Sequence, residues 1–454
     1  MIPSAKAKHG PAARERRLLA LGRKMVRDSD AEETEVLLAD GREFLTRFAA
    51  GAIHQNVGAE EAAAVVRAVV DRRVGVATAD SLEADALDSA RASALAIAEA
   101  ADPDPHWPGL PKARPVKPVK AYDAATAAAD AKARADFAAG IIAAARERDG
   151  EAAGIVQTEE GTLAVVNSRG VAVAYSHTRA EANALVTCGD GSGWAEAVAV
   201  RLSDLDADRL GRRAALTAEK SRNPRPLAPG TYDVVLEPSA VGEWLQDLAF
   251  VAFSGKDVAE GRSPLAGRLG QVVTGEQVTV WDNARDRRTL LQPFDYEGQP
   301  ARRLSLIKGG VAEAVATNHY RARRMGRRVS TGHALPASSP QECMPMHLFM
   351  KGGRSSAKQL VGEMKRGLLV TRFHYTNVLD PMETVLTGMT RDGTFLVEDG
   401  RIVHAVRNLR YTENVLAALG RIDGASKRLT RVPGPCVVPT VRVRDVRFSG
   451  ATEF

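Results

Sequence analysis

The sequence predicts an α+β protein in which an N-terminal α/β domain and an antiparallel meander precede a β-rich C-terminal domain built around one central buried helix. Three observations carry this. Runs of period-two hydrophobicity, separated by glycine-bearing turns, recur from residue 151 to the C-terminus. Within the C-terminal third, Val241, Trp244, Leu245, Leu248, Val251 and Ala252 recur at helical spacing behind Pro238 and Ser239, an apolar set too broad for a surface helix, and Ser254-Gly255 supplies a stop. Finally, the text DPDPHWPGLPKARPVKP from Asp102 to Pro118 is an extended connector, because proline removes backbone donors and fixes φ. At 454 residues the chain exceeds one ordinary core.

Taken in order, residues 1–33 are charged and lack a strand signal, and read as a basic tail running into a helix without chemistry of its own. Residues 34–102 form the α/β domain. There EFLTRFAAGAIHQNVG is extended, AEEAAAVVRAVVDRRVGVATAD alternates like a strand with Arg72-Arg73 near a turn, and Ser81 to Ala101 is an Ala-rich helix capped by Asp80 or Ser81. Residues 119–222 open with one long helix from Ala125 to Asp149. The runs GIVQTEE, TLAVVNS, VAVAYSHT, EANALVTC and AEAVAV follow as a meander, with turns at Glu160-Gly161, Arg169-Gly170 and Gly189–Gly193, and Asp204 to Ser221 is a further helix. Residues 231–454 hold the organising helix, then strands such as VTVWDN, RRLSLIKGG, RGLLVTRFHYTNVL and VVPTVRVRDVRFSG, with Arg410 to Leu419 as a short helix between strands.

Composition excludes several functions. The 62 basic residues exceed the 56 acidic by a mild +6 and are dispersed, and aromatics make up 5%, so a nucleic-acid partner is not expected. The densest cluster, Arg321 to Arg328, reads as a solvated helix end or partner surface. No apolar run is long enough to span a bilayer, no apolar core follows the basic start, and Cys188, Cys343 and Cys436 are far apart and odd in number. A cytoplasmic address and no membrane are expected. No two histidines stand one helical turn apart, so no helix-borne metal pair exists, though a loop-assembled set of His333, Cys343 and His347 stays open. Neither a G-x-S-x-G elbow nor a phosphate-binding glycine loop occurs. Asp247 is a candidate general acid or base on a buried helix face, set against the plainer reading that it pairs with Arg262 or Arg268.

The ordered phrases LTRFAAGAIHQNV, SPLAGRLGQVV, VTVWDN, FDYEGQPARRLSLIKGG and YTNVLDPMETVLTGMTRDGTFLVEDGRIVHAV resemble the TldD/PmbA family from about Glu43 to the last strand. Asp295-Tyr-Glu-Gly298 resembles its Asp-x-Glu-Gly turn. In TldD-like chains the organising helix carries His-Glu-x-x-x-His, a zinc site. Here Gln246, Asp247 and Val251 stand at the His, Glu and second His positions, which leaves no metal ligand and no catalytic residue there. The resemblance therefore implies a TldE/PmbA-type subunit without a cofactor of its own. It would pair as a heterodimer with a zinc-bearing TldD-like homologue and help degrade or process unfolded peptides. By the same resemblance the loop after the helix meets the partner, through Pro264, Leu265, Leu269 and Val272. A free-standing peptidase or hydrolase with an unrecognised site, and a nucleic-acid-associated regulatory protein, are the alternatives.

Overall fold

The computed structural model describes residues 10–434 and 436–451. Helix α1 (Pro11–Arg27) starts with proline at its first turn, where the missing N–H is no loss, and buries Leu18, Gly22 and Met25. The expected tail is thus a packed helix from Pro11 onward; residues 1–9 lie outside the described residues. Strands β1 (Glu33–Ala49), β2 (Ala52–Val70) and β3 (Arg73–Ala79) follow as two hairpins whose two-residue turns, Ala50-Gly51 and Asp71-Arg72, have positive φ at both positions. This is the turn geometry that matches strand twist. Helix α2 (Ala84–Ala100) is preceded by Glu83, which makes no side-chain cap, so Asp80 and Ser81 lie short of its start.

The expected long helix divides in two. Asp123 caps α3 (Ala124–Ala127) and Asp130 caps α4 (Ala131–Arg146), each accepting the backbone N–H of the third residue of its helix, and the second cap outweighs the continuous alanine pattern. The five expected meander strands are three: β4 (Glu151–Asn167), β5 (Ala172–Cys188) and β6 (Gly191–Ala199). Gly161 is not a turn. It sits mid-strand opposite Gly41, where an added Cβ would come within 2.6 Å of the His177 ring, so the glycine serves close packing. Helix α5 (Ala207–Lys220) closes this half.

All six strands form one antiparallel sheet in the order β3-β2-β1-β4-β5-β6, so the stretches read as a first and a middle domain share a backbone ladder through β1 and β4. Helices cover one face. Leu18, Val36, Leu38, Val66, Leu87 and Ala94 make one core there, and Ile141, Val156, Val186, Leu210 and Ala214 another.

The C-terminal half opens with β7 (Gly230–Leu236) and α6 (Pro238–Ala252), which has proline at its first position and buries Val241, Trp244, Leu245, Leu248, Val251 and Ala252 as the periodicity predicts. Helix α6 ends just before the expected stop at Ser254-Gly255, and Ser254 caps the next short helix, α7 (Gly255–Ala259). There follow β8 (Val280–Asp282), β9 (Leu304–Lys308), β10 (Val311–Ala312), α8 (His319–Arg324), β11 (Leu348–Met350), α9 (Ala357–Gly362), β12 (Arg366–Asp380), β13 (Val385–Glu398) and β14 (Arg401–Ala405). The expected helix at 410–419 is half strand, β15 (Leu409–Asn414), after which the Asn414 side chain caps α10 (Val415–Gly420). Strands β16 (Ile422–Val432) and β17 (Cys436–Ala451) complete the chain. Because β17 pairs with both β7 and β15, the pairings β7-β12-β13-β15-β17-β7 close a ring, which removes the open edges of those strands. Helix α6 packs on β12 and β17. Its Trp244 stacks on Phe373 at 5.3 Å, with Tyr411 4.3 Å from Phe373.

Candidate functional site

The two halves are joined by the Asp295-Tyr-Glu-Gly298 turn. Asp295 accepts the backbone N–H groups of Glu297, Gln299 and Ala334, which folds the turn on itself. Phe294 meets Tyr175 of β5 edge-on at 5.2 Å, and a side chain at Gly298 would come within 2.5 Å of Val171. Glu297 then reaches Arg67 of β2 at 3.2 Å, and Arg67 also holds Glu35 of β1 at 2.5 Å, all three buried. Burial raises the Glu35 carboxyl to about 7 despite the guanidinium beside it. Above this pin lies a cleft of about 330 Å³ lined by Val74, Val76, Trp107, Tyr320, Arg321 and Leu335, among others. Arg321 does not face it as a free cation, because Glu260 and Glu342 each hold it at 2.8 Å; the basic cluster that follows is a largely solvated helix end, as expected.

On α6, Gln246 is half-buried and its amide donates to the carbonyls of Gly242 and Pro433, both at 3.2 Å. Val251 is buried in the apolar core. Cys436 lies on the same side, its thiol donating weakly to the Gly242 carbonyl at 3.8 Å, and burial pushes that thiol far above the range in which a thiolate forms. Among the described residues no three His, Cys, Asp or Glu side chains group as metal ligands would. An amide committed to two carbonyls, an aliphatic side chain and a protonated thiol do not fit a zinc ion, so no step through one is assigned to this chain.

Asp247 pairs with neither Arg262 nor Arg268. Arg262 is held by Asp257 and Glu260, and Oδ2 of Asp247 is buried without a hydrogen-bond partner, so burial raises its carboxyl to about 6. Glu243, one turn earlier, is raised to about 7 by burial, with Asp247 adding to the rise and the Thr376 hydroxyl opposing it. These two carboxyls can hold and release protons near neutrality. Sequence reading missed Glu243; the signal was an i, i+4 carboxylate pair on an otherwise apolar helix.

The loop-assembled set does not group as metal ligands would. Cys343 donates to the Ala316 carbonyl at 3.2 Å, while His333 binds Asp282 at 3.0 Å and the His347 backbone donates to the same carboxylate at 2.5 Å. Burial opposes both charges of the His333–Asp282 pair, yet the pair wins: His333 is held above the ordinary imidazole range and Asp282 below the usual carboxylate range. His347 is kept neutral by burial. A raised His333 contributes stability below pH ~6.5 that is lost as pH rises through its folded value, whereas Asp282 and His347 contribute stability that is lost as pH falls. Stability should therefore pass through a maximum near neutrality, and His333→Gln should flatten its alkaline limb; urea midpoints from pH 5 to 9 measure this, and an unchanged alkaline limb would count against the pair.

Of the residues expected at a partner interface, Pro264 and Leu265 are buried inside this chain, Leu265 fully so. The loop folds back on α6, with the Ser263 hydroxyl donating to the Ala252 carbonyl at 2.8 Å. Leu269 is half-buried against the same core, and Val272 is 69% exposed. Only the last two have surface to offer a partner. No helix among the described residues is long and apolar enough to cross a membrane.

Residues 34–98, 125–222 and 229–450 match PmbA/TldA metallopeptidase domain 1, the central domain and the C-terminal domain respectively. The chain is 24% identical over 410 residues to Metalloprotease PmbA of Escherichia coli O157:H7, covering 85% of each. It is 24% identical over 311 residues to a Metalloprotease of Methanothermobacter thermautotrophicus, covering 64% of this chain and 68% of that protein. Its fold matches crystalline TldE from Thermococcus kodakarensis with a TM-score of 0.85 at 22% identity, over 96% of this chain and 99% of the other. With all three domains matched in order, this chain belongs to the PmbA/TldD metallopeptidase family.

Proposed function

We propose that this chain is the non-catalytic, TldE-type subunit of a metallopeptidase complex that degrades or processes unfolded peptides, with zinc held by a TldD-like partner. The observation that supports it is at α6: the helix keeps its place in the fold, but Gln246 is tied to backbone carbonyls and Val251 faces the core. The role left to the chain is to shape an enclosure and present backbone to extended substrate. Phe250, Tyr375, Leu379 and Met382 are exposed apolar side chains suited to a partner surface.

The Glu243 and Asp247 pair favours one other reading, a free-standing hydrolase that uses these carboxyls as acid and base. Co-expression with a homologue that retains His-Glu-x-x-x-His separates the two. A soluble complex that cleaves casein, with about one zinc per heterodimer and none stoichiometric in this chain alone, is expected. Casein cleavage by this chain alone, abolished by Glu243→Gln, would overturn the subunit reading in favour of the hydrolase; failure to associate would also refute it.

A further inference from the structure

Strand β2 is longer than the strand beside it. On its outer side β3 pairs only from Ala64 to Val70, and among the described residues no other strand takes the remainder. Residues 52–61 are exposed throughout. Which groups face outward follows from the hairpin: Val70 and Arg73 flank its two-residue turn and exchange backbone bonds, so by alternation Ala68, Val66 and Ala64 also bond β3. Continuing down the strand, Ala62, Glu60, Gly58 and Asn56 turn their N–H and C=O groups to solvent, while the odd-numbered residues bond β1 without a break in register.

Free edges of this length are ordinarily guarded by lysine, proline or a bulge. The stretch AIHQNVGAEEAA has no lysine or proline, and from Asn56 on it has no bulge; its only charges are Glu60 and Glu61. Both are exposed and neither has an ion pair among those described. On the Glu61 face Glu43 lies diagonally behind, followed by Glu159 and Glu181. Of the basic groups on that face, Arg179 is held by Glu181, His177 bonds Glu159, and Arg47 lies toward the hairpin tip opposite Gln55. On the other face Arg42, opposite Glu60, and Arg14 are held by Glu160, and Arg134 reaches the Asn56 end of the stretch, its Nη2 donating to Asn56 Oδ1 at 3.4 Å. The edge is unpaired among the described residues and negative on the Glu61 face, and on the other face Glu60 is a carboxylate without an ion pair among them.

We propose that Asn56–Ala62 is a strand-addition site for an extended basic peptide segment, whose backbone pairs with the outer edge of β2. Consecutive side chains of an added strand point to opposite faces, so two adjacent lysines or arginines meet Glu61 with Glu43 on one face and Glu60 on the other. Charge complementarity selects this occupant over an acidic or neutral one. The inference rests on the peptide-handling reading above and specifies which peptides the enclosure retains.

Fluorescence anisotropy of the purified full chain with labelled Thr-Val-Thr-Arg-Arg-Thr-Val-Thr and its Glu-Glu counterpart tests it. The dibasic peptide should bind at least about tenfold more tightly, and E60Q with E61Q should cost the dibasic peptide about tenfold, a few-fold for each cross-strand charge pair. Glu60→Pro should abolish binding, because it deletes an outward N–H while leaving the ladder to β1 intact. An unchanged circular dichroism melt of Glu60→Pro verifies folding; if it melts early, Ala62→Pro deletes the next outward N–H to the same end. Equal binding of the two peptides, binding by a folded proline variant, or hydrogen-exchange protection of Asn56, Gly58, Glu60 and Ala62 in the free chain, meaning that a second copy covers the edge, would each overturn the proposal. Casein cleavage by the co-expressed complex reads the subunit role separately, so a cleaving complex without this binding defeats only the edge site.

Discussion

Leu265→Asp should leave the C-terminal half unfolded. Leu265 is fully buried against the α6 core, beneath a loop tied to Ala252 by Ser263. The substitution removes a packed aliphatic side chain and leaves a carboxylate without a cation among the core residues. Large-to-small core changes cost about 2–5 kcal/mol, and an unpaired buried polar group adds more, against a total stability of roughly 5–15 kcal/mol. Insoluble expression or a lost cooperative melt is expected. Val272→Asp, at a position 69% exposed, should change stability by less than about 0.5 kcal/mol. The contrast matters for assembly: Leu265→Asp would abolish a heterodimer by unfolding one subunit, whereas a folded Val272→Asp chain that no longer pairs would report on an interface. A soluble Leu265→Asp protein with a native melting curve would mean that the loop does not seal this core.

Arg67→Met should cost nearly as much, and by an amount that depends on pH. Arg67 pairs with both Glu35 and Glu297, and its loss leaves two buried carboxyls facing each other between the six-stranded sheet and the C-terminal half. Breaking a buried pair from one side costs about 3–5 kcal/mol. Glu35 already sits at about 7 through burial, with Glu297 adding to the rise; without the guanidinium it goes higher. A carboxyl whose folded value is raised binds more protons folded than unfolded, so its contribution falls as pH rises from the unfolded value through the folded one. The variant should therefore lose more stability at pH 8 than at pH 5, and adding Glu35→Gln with Glu297→Gln should recover part of the loss at pH 8. Urea midpoints at the two pH values provide the measurement. Equal losses at both would show that the carboxyls are not carrying the effect.

Much of this protein is legible in one dimension because the signal is local. The apolar spacing of Val241, Trp244, Leu245 and Leu248 identifies the buried helix without a neighbour in view, since the period of a helix is a property of the helix alone. The lack of a histidine pair one turn apart on this helix is equally local, since Gln246 and Val251 are read off the text. What misleads is a residue whose role is set by another strand. Gly161 looks like a turn, and only the approach of His177 from β5 shows it to be a packing contact. Asp130 looks like one more helical residue until its side chain is seen capping α4. Leu265 looks like a surface anchor because small and aliphatic residues in a glycine-punctuated loop suit an interface and a core equally well.

The family resemblance, carried by the order of its motifs, and the α+β class, carried by hydrophobic period, thus come from the order of residues. The join between the halves, the carboxyl pair at Glu243 and Asp247, the turning of the Cys343 thiol to the Ala316 carbonyl, and the bare outer edge of β2 were decided by tertiary structure. Each of these depends on a distance between groups far apart in the chain, as with Arg67 and Glu297 at 3.2 Å, or on burial, as with the Asp247 carboxyl. Desolvation and pairing act through space, and hydrophobic periodicity along the chain carries no record of which distant segment will supply the partner.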